Sequence, residues 1–215
     1  HWAPGLVPKD IGLGLKETVF WSPSVLEAPD ENDRINTSAT YGFVYDICAL
    51  EIDRKSGGVR IDRYVTAHDA GRLLNPGLVD GQIRGGFSQG IGAALLEEVV
   101  YTKDGNLLSG TFADYLVPTA TDVIDPIIVH TESPSPFTPL GSKGVGEGNS
   151  MSTPVCIANA IADALGNNVD PEKIVLPMSP SKIMALIGID DPSPQNYDSC
   201  CKPKPDVVSK KSRSL

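Results

Sequence analysis

Alternating apolar and polar positions predict a β-hairpin in the first third of the chain. Residues 37–52 alternate as one strand, and residues 59–65 alternate again after the turn-forming segment Arg54-Lys-Ser-Gly-Gly58. A further apolar segment at 124–131 predicts another strand. Because neighbouring side chains of a strand point to opposite sides, each strand can bury one side and expose the other.

An apolar residue at every fourth position predicts a helix over residues 78–99. Its buried stripe consists of Ile83, Phe87, Ile91 and Leu95. A second helix is expected to start at Thr153 as N-cap, with Pro154 in the first helical position, and to end at Gly166; a short third helix covers 181–187. Helices and strands are thus mixed without a regular βαβ rhythm, which predicts an α+β fold.

The first predicted helix is unusually rich in glycine. The residues concerned are Gly81, Gly85, Gly86, Gly90 and Gly92. Each glycine costs a helix about 1 kcal/mol relative to alanine. Such a helix indicates that another group passes close to it, either a packed element of the protein or a cofactor.

Composition and charge narrow the class of protein. The chain has 215 residues, of which 40% are hydrophobic and 21% charged, as is typical of a soluble globular protein with one or two domains. The net charge of −9 argues against nucleic-acid binding, because phosphate contacts need clustered Lys and Arg. No apolar run reaches the ~20 residues of a membrane span, and His1-Trp-Ala-Pro lacks the basic and apolar regions of a signal peptide. The four cysteines are too few and too scattered for a disulfide framework, so the cytoplasm is the expected compartment.

The distribution of Pro, Gly and polar residues predicts three segments. Residues 1–36 form an extended arm, residues 37–189 form the folded domain, and residues 190–215 form a polar tail. Cys48 and Cys156 occur in apolar segments and are expected to be small core residues. The chain offers no spacing of four thiolates suited to an iron-sulfur cluster, so any cluster must be bound elsewhere.

The segment from Pro139 to Ser150 (PLGSKGVGEGNS) is the main candidate for a functional loop. It places one carboxylate, Glu147, within a run of four glycines, which lets other groups approach the backbone closely. A flexible linker of Gly and Ser would rarely carry one acid and one base between apolar residues. The alternative interpretation is a solvated glutamate in a turn.

Two other patterns favour structure over chemistry. Ser88 in Gly-Phe-Ser-Gln-Gly imitates a hydrolase nucleophile elbow, but it falls inside a helical pattern rather than after a strand. His68 and Asp69 could form an acid-base pair, but neighbours in a strand face opposite sides. A hydrogen-bonded structural role is the preferred interpretation for both.

The loop sequence Gly141 to Glu147 (GSKGVGE) closely resembles the C-terminal signature of the molybdenum hydroxylases, the xanthine dehydrogenase and aldehyde oxidase family. A second block, His68 to Pro76 (HDAGRLLNP) followed by Gly81 to Gly92 (GQIRGGFSQGIG), is similar to the segment that lies along the pterin in that family. The two blocks occur in the family's order. The resemblance covers residues 37–165 and implies the C-terminal part of a molybdenum-cofactor-binding domain.

The resemblance also implies roles for individual residues. Glu147 would be the active-site base in the oxidation of a heteroaromatic or aldehyde carbon, with water as the oxygen source. Candidate cofactor contacts are Gln82, Gly85, Gly86, Ser142 and Lys143. Among these, Gln82 would bond the cofactor near the metal, whereas Ser142 and Lys143 resemble supports of the loop. No residue is predicted to ligate the metal, and Glu147 is expected to be partly buried in a pocket.

The chain lacks other parts of the family's active site. The upstream Phe-Gly loop and the arginine that handle metal and substrate have no counterpart here. The resemblance therefore implies a molybdenum cofactor, a molybdopterin alone or as a dinucleotide, that is shared with a larger molybdenum-binding subunit. Iron-sulfur clusters and FAD would be carried by partner subunits, and the enzyme would be active only in that complex.

Two other functions stay open at this point. A relative could use the same molybdenum site to hydrate an activated double bond or to oxidise an alcohol. Alternatively, the chain could be a non-catalytic scaffold in which Glu147 is vestigial, although an intact Gly-Glu-Gly sequence argues against it.

Overall fold

The computed structural model describes residues 18–166 and 169–188. The elements, in chain order, are β1 (Phe43–Ile52), β2 (Val59–Asp69), α1 (Pro76–Ile91), a π-helical turn (Gly92–Leu96), β3 (Ile127–Thr131), α2 (Gly148–Leu165), a 3-10 turn (Pro171–Lys173) and α3 (Pro180–Ile187). This mixture confirms the predicted α+β class. The predicted tail at 190–215 and the first 17 residues of the predicted arm lie outside the described residues.

The three strands form one sheet in the order β1-β2-β3. The hairpin of β1 and β2 is confirmed, but β1 begins at Phe43 rather than at residue 37, because Ser38 makes a local hydrogen bond to the Thr40 carbonyl (2.9 Å) instead of extending the strand. β2 continues to Asp69, four residues beyond the prediction, because β3 pairs with it in parallel from Val65 to Asp69. That partner lies far away in sequence and could not be inferred from local alternation.

Helix α1 carries the predicted buried stripe, with Ile83, Phe87 and Ile91 almost fully buried. The helix starts two residues before the predicted position, since Asn75 caps it: its side-chain Oδ1 accepts a hydrogen bond from the Leu78 N–H (3.2 Å). Regular α-helix ends at Ile91, where a π-helical turn takes over, so the prediction of helix up to residue 99 is wrong in its last part.

Helix α2 corrects the predicted role of Thr153 and Pro154. The helix begins at Gly148, and Pro154 lies inside it rather than in its first position. The extra turn before the proline is stabilised by side chains that bond to the sheet, with Ser152 donating to Asp46. The end of the helix at Gly166 is confirmed, as Gly166 adopts a positive φ of 76°. The predicted third helix is confirmed at α3.

The chain separates into two compact units, each formed by three stretches of sequence. Within the described residues, the first unit contains 18–47, 65–90 and 125–153, and the second contains 48–64, 91–124, 154–166 and 169–188. The core of the first unit includes Ile83 and Phe87 together with buried polar side chains. The second unit has an apolar core, formed by Tyr64, Ile91, Ile157, Ile161, Met178 and Ile183.

The domain boundaries expected near residues 36 and 189 stay a prediction. Cys48 and Cys156 are half-buried and form no disulfide. Among the described helices, none is long and apolar enough to cross a bilayer.

Candidate active site

The glycine-rich loop ends at the N-terminus of α2 and borders a cavity of about 340 Å³ in the first unit. The cavity is lined by Gly42, Phe43, Val44, His68, Asp69, the segment 144–148 and Met151. Glu147 lies at this cavity but is exposed, as are Gly144 and Gly146 beside it. The expected partial burial of Glu147 is therefore wrong for this chain taken alone, because the loop's outer side faces solvent.

Glycine is required at position 148 by close packing. A Cβ added to Gly148 would lie 2.9 Å from Val44 Cγ2 and 3.1 Å from His68 Cε1. These distances are shorter than a carbon-carbon contact allows. The first residue of α2 is thus pressed against the sheet, and this contact fixes where the backbone of Glu147, its immediate neighbour, can lie.

A buried hydrogen-bond network holds the first turn of α2 on the sheet. The Asn149 side chain accepts a bond from His68 Nε2 (2.6 Å) and donates to Thr66 Oγ1 (3.1 Å). Weaker contacts of Asn149 reach Asp46 and Thr153, both at 3.4 Å. Burial lowers the pKa of His68, so the neutral imidazole is the stable form here. The expected hydrogen bonding of His68 is confirmed, and its preferred structural role stays a prediction.

A second cluster anchors the other end of the loop. Lys143 Nζ donates to Ser133 Oγ (2.7 Å) and approaches Asp69 Oδ2 (3.4 Å), and Ser133 also bonds to Asp69. The side chains of Lys143 and Asp69 are only 8% and 11% exposed. Lys143 Nζ also lies 5.5 Å from the centre of the Phe43 ring. Lys143 is thus fully engaged within the protein, as expected of a residue that supports the loop.

The electrostatics of Asp69 follow from this cluster. Burial alone would raise the pKa of Asp69, but hydrogen bonds from the Ser133 hydroxyl and from the Gly71 and Ser133 backbone N–H groups, with the Lys143 charge, lower it to about 2. Asp69 is therefore ionised and structural, as preferred. Ser142 is also held by backbone contacts, since it forms a β-bridge with Gly71. Whether Ser142 and Lys143 also contact a cofactor stays a prediction.

The structure brings the two sequence blocks together. Gln82 Oε1 lies 4.0 Å from the position that a Cβ would occupy on Gly146. Gln82 is exposed near the start of α1, as Glu147 is at the end of the loop. Two residues separated by 65 positions in the sequence, Gln82 and Glu147, thus belong to one surface of the first unit.

The glycines of α1 divide into two groups, and the two explanations left open by the sequence apply to different positions. Gly81 and Gly85 have no heavy atom within 4 Å of an added Cβ, so this side of the helix is open. At Gly86 an added Cβ would lie 3.3 Å from the Cβ of Asn149, and at Gly90 it would lie 2.5 Å from the Cβ of Thr153. Gly86 and Gly90 therefore let α2 pack closely, whereas Gly81 and Gly85 leave room for something outside the described chain.

Sequence reasoning missed Asn149 and Ser133. Asn149 is the centre of the buried network, and Ser133 links Lys143 to Asp69. The available signal was their position: Asn149 is two positions after Glu147, and Ser133 is two positions after the predicted strand that ends at residue 131. Neither residue type is distinctive there, since Asn and Ser are common in turns.

Comparison with known proteins agrees with this geometry. Residues 6–124 match the molybdopterin cofactor-binding domain. Over 69% of its length the chain is 40% identical to 18% of the nicotine 6-hydroxylase large subunit of Paenarthrobacter nicotinovorans. The chain belongs to the molybdenum hydroxylase family and contains part of its molybdopterin cofactor-binding region.

Solved structures give the same result. Quinoline 2-oxidoreductase of Pseudomonas putida 86 superimposes with a TM-score of 0.62 at 40% identity, covering 67% of this chain and 18% of that one. Aldehyde oxidoreductase of Desulfovibrio gigas superimposes with a TM-score of 0.68 at 28% identity, covering 78% of this chain and 18% of that one. The chain spans less than a fifth of the length of these relatives.

Proposed function

We propose that this chain is the base-carrying part of a molybdenum hydroxylase that hydroxylates a carbon of a nitrogen heteroaromatic ring, with Glu147 as the active-site base and water as the oxygen source. The observation that carries the proposal is the meeting of Gln82 with the Glu147 loop on one open surface. Two motif blocks that resemble the family's cofactor segment and its catalytic signature are neighbours in space. A solvated turn glutamate would need no such neighbour.

The residues present fit a molybdenum cofactor on the open side of α1. Gly81 and Gly85 form a surface without side chains, against which a flat pterin can lie closely. Gln82, exposed beside them, has an amide that both donates and accepts hydrogen bonds. No group of three His, Cys, Asp or Glu side chains suited to a metal occurs among the described residues, so this chain would hold the cofactor through its organic part.

The chemistry divides between the cofactor and this chain. When bound, the cofactor supplies the two-electron oxidation of the substrate carbon. Glu147 takes up a proton on a carboxylate oxygen as the oxygen of water is transferred, and its side chain is exposed among the residues that the structure describes. Gln82 orients the part of the cofactor that lies beside it. Gly148, pressed on the sheet, and the Asn149 network keep the backbone of Glu147 in place.

The degree of identity favours a nitrogen heteroaromatic substrate. The two relatives at 40% identity are named for nicotine and quinoline, which both contain such a ring, whereas relatives named for aldehydes are 28% to 34% identical. An aldehyde is therefore the second candidate substrate. None of these names refers to the hydration of a double bond or to the oxidation of an alcohol.

The partners follow from the size of the relatives. Since the chain corresponds to 18% of a large subunit, the rest of a molybdenum-binding polypeptide completes the site, and iron-sulfur and FAD units receive the electrons. That polypeptide then covers the side of the cavity where Glu147 faces solvent in this chain alone. This closure accounts for the difference between the exposed Glu147 of the chain alone and the partial burial that a base needs.

The test replaces Glu147 in the purified complex. Glu147→Gln keeps the size of the side chain and removes the proton acceptor, so turnover should fall by about 10²-fold to 10⁴-fold, as for the loss of a general base. Molybdenum content and subunit stoichiometry should equal those of the parent. Glu172→Gln, an exposed glutamate in the second unit, is the matched control and should leave turnover unchanged.

The outcomes separate the proposal from its rivals. Near-parental turnover of Glu147→Gln with full molybdenum content would contradict the role of Glu147. A complex without molybdenum would contradict the proposed reaction. So would a complex that is inactive on both ring and aldehyde substrates but adds water to a double bond or oxidises an alcohol. A complex whose activity survives the removal of this chain would make it a scaffold.

A further inference from the structure

One side of the sheet in the first unit is apolar and has no element packed on it among the described residues. We call it the bare sheet face. It consists of Phe43, Tyr45 and Ile47 of β1, Val65 and Ala67 of β2, and Ile127 and Val129 of β3.

The register places these side chains next to one another. Val65 pairs with Ile127 and Ala67 with Val129 in the parallel ladder, so both pairs lie on the same side of the sheet. The exposed odd-numbered residues of β1 lie on this side too, because the half-buried even-numbered position Asp46 faces the other way, toward Asn149 of α2. The Lys143 amino group above the Phe43 ring marks one end of the face.

The two sides of this sheet contrast sharply. On the covered side, Thr66 and His68 are buried beneath α2 and bonded to Asn149. On the bare sheet face, Phe43 is 66%, Tyr45 70% and Ile47 54% exposed. None of its seven residues is charged, and at the end of the face marked by Phe43 the side chains of Lys143 and Asp69 form an ion pair (3.4 Å).

Such a surface is unfavourable in water. Exposed apolar area costs about 25 cal/mol per Å², and large contiguous patches on soluble proteins generally mark binding surfaces. β1 is also an edge strand of the described sheet, and it carries no lysine or proline that would disfavour pairing with a further strand. A face without charges is typical of a permanent interface, since exchanging partners use more polar surfaces.

We propose that the bare sheet face docks the remainder of the molybdenum-binding polypeptide, through an apolar surface of that polypeptide that stays in place throughout the reaction. The inference rests on the proposed function and names the surface by which its main partner binds. The occupant is inferred from a relative: the matched region is 18% of the nicotine 6-hydroxylase large subunit, so more than 80% of that subunit lies outside it. An apolar contact without charges is typical of the packing within one polypeptide, which fits a segment of the same subunit.

The test places a photo-reactive aromatic residue in the face of the native complex. Tyr45→p-benzoylphenylalanine keeps an aromatic side chain at an exposed position and reacts on illumination with whatever lies against it. Mass spectrometry should find the cross-link on residues of the molybdenum-binding polypeptide outside these 215. Lys55→p-benzoylphenylalanine, in the polar turn between β1 and β2, is the control and should give no such cross-link.

Hydroxyl-radical labelling of the unmodified complex guards against a variant that fails to assemble. In the assembled complex, Tyr45 should be labelled as slowly as Tyr64, which is fully buried, whereas denaturation should bring both to the same rate. Fast labelling of Tyr45 in the complex would overturn the proposal. So would a cross-link to a second copy, to an iron-sulfur or FAD subunit, or to residues 1–17 or 189–215 of this chain.

These readouts do not depend on turnover. A cross-link to the expected polypeptide in a complex whose activity is insensitive to Glu147→Gln would contradict the proposed catalytic role and support the docking surface. The reverse pattern, with activity lost in Glu147→Gln and Tyr45 labelled freely, would contradict the docking surface alone.

Discussion

The two ends of one glycine-rich loop are used in different ways. At the anchored end, defined as Lys143 with Asp69 and Ser133, the three side chains bond to one another, and those of Lys143 and Asp69 are largely buried. At the open end, defined as Glu147 with Gln82 across from Gly146, the side chains are exposed. Lys143 and Glu147 are only four positions apart, so a structural anchor and the proposed base lie within a single motif.

The difference has a simple physical basis. A buried ion pair stabilises a loop only when its geometry and additional hydrogen bonds compensate for the loss of water, and Ser133 supplies such bonds here. A base must exchange a proton during each turnover, so a partner that bonds to it permanently would reduce its reactivity. The anchored end therefore provides rigidity, and the open end keeps an uncommitted carboxylate.

The largest effect on stability is expected from breaking the anchored end. Lys143→Met keeps the length and apolar stem of the side chain but leaves Asp69 without its cation, which should lower the free energy of unfolding by about 3 kcal/mol, as for other buried pairs. Denaturant unfolding measures it. Lys55→Met, at an exposed turn position, is the control and should change stability little. If both variants lower the free energy of unfolding by the same small amount, the ion pair does not stabilise the anchored end, and the distinction between the two ends is wrong.

Acid should weaken the anchored end as well. The folded-state pKa of Asp69, about 2, lies below its ordinary value of 3.8, so its stabilising contribution is complete above that value and is lost as the pH falls from 3.8 toward 2. The contribution is about 2 kcal/mol, since one pKa unit corresponds to about 1.4 kcal/mol. The difference in unfolding free energy between the parent and Asp69→Asn should thus narrow by that amount between pH 6 and pH 2.

Asn106→Ala controls for the general effect of acid. Asn106 lies in an exposed turn and has no ionisable side chain, so the difference in unfolding free energy between this variant and the parent should stay constant over the same pH range. If the difference in unfolding free energy between the parent and Asp69→Asn is also constant over this pH range, the ionised Asp69 does not stabilise the loop.

The smallest effects concern the glycines of α1, and they should differ in sign. Gly90→Ala places a Cβ 2.5 Å from that of Thr153 and should destabilise the protein by about 1 kcal/mol after the helix propensity gain is subtracted. Gly85→Ala meets no atom within 4 Å and should stabilise the chain by about 1 kcal/mol through helix propensity. Thermal unfolding of the two variants measures both effects.

The same pair tests the open surface. In the assembled complex Gly85→Ala should lower the molybdenum content, because the added methyl group occupies the surface proposed for the pterin. Gly90→Ala should not lower it per folded complex. A Gly85→Ala complex with full molybdenum content would place the cofactor elsewhere.

Local patterns in the sequence were enough for much of the fold. The hairpin, the buried stripe of α1 and the glycine that ends α2 each depend on residues within a few positions of one another. The start of α2 and the length of β2 were missed because they depend on distant partners, the former on Asp46 and Asn149, 103 positions apart, and the latter on pairing with β3. Rules based on alternation and on helix capping use only residues close together in the sequence, so they cannot detect such pairs.

The candidate site divides in the same way. Glu147 and Gln82 were found through the resemblance of their segments to a family, and the approach of Gln82 to Gly146, the neighbour of Glu147, needed the structure. The bond between Lys143 and Asp69 joins residues 74 positions apart, and nothing in either local sequence indicates it. The exposure of Glu147 was also unpredictable, because it depends on how much of the surrounding polypeptide is present.

The most direct test of the division within the loop measures two quantities for two variants of the assembled complex: turnover per bound molybdenum and the free energy of unfolding. Glu147→Gln should lose about 10²-fold or more in turnover with stability unchanged. Lys143→Met should lose about 3 kcal/mol of stability while each molybdenum-loaded complex retains most of its turnover. If Lys143→Met loses turnover per molybdenum as severely as Glu147→Gln, or if Glu147→Gln remains active, the proposed separation of an anchored end from a catalytic end is wrong.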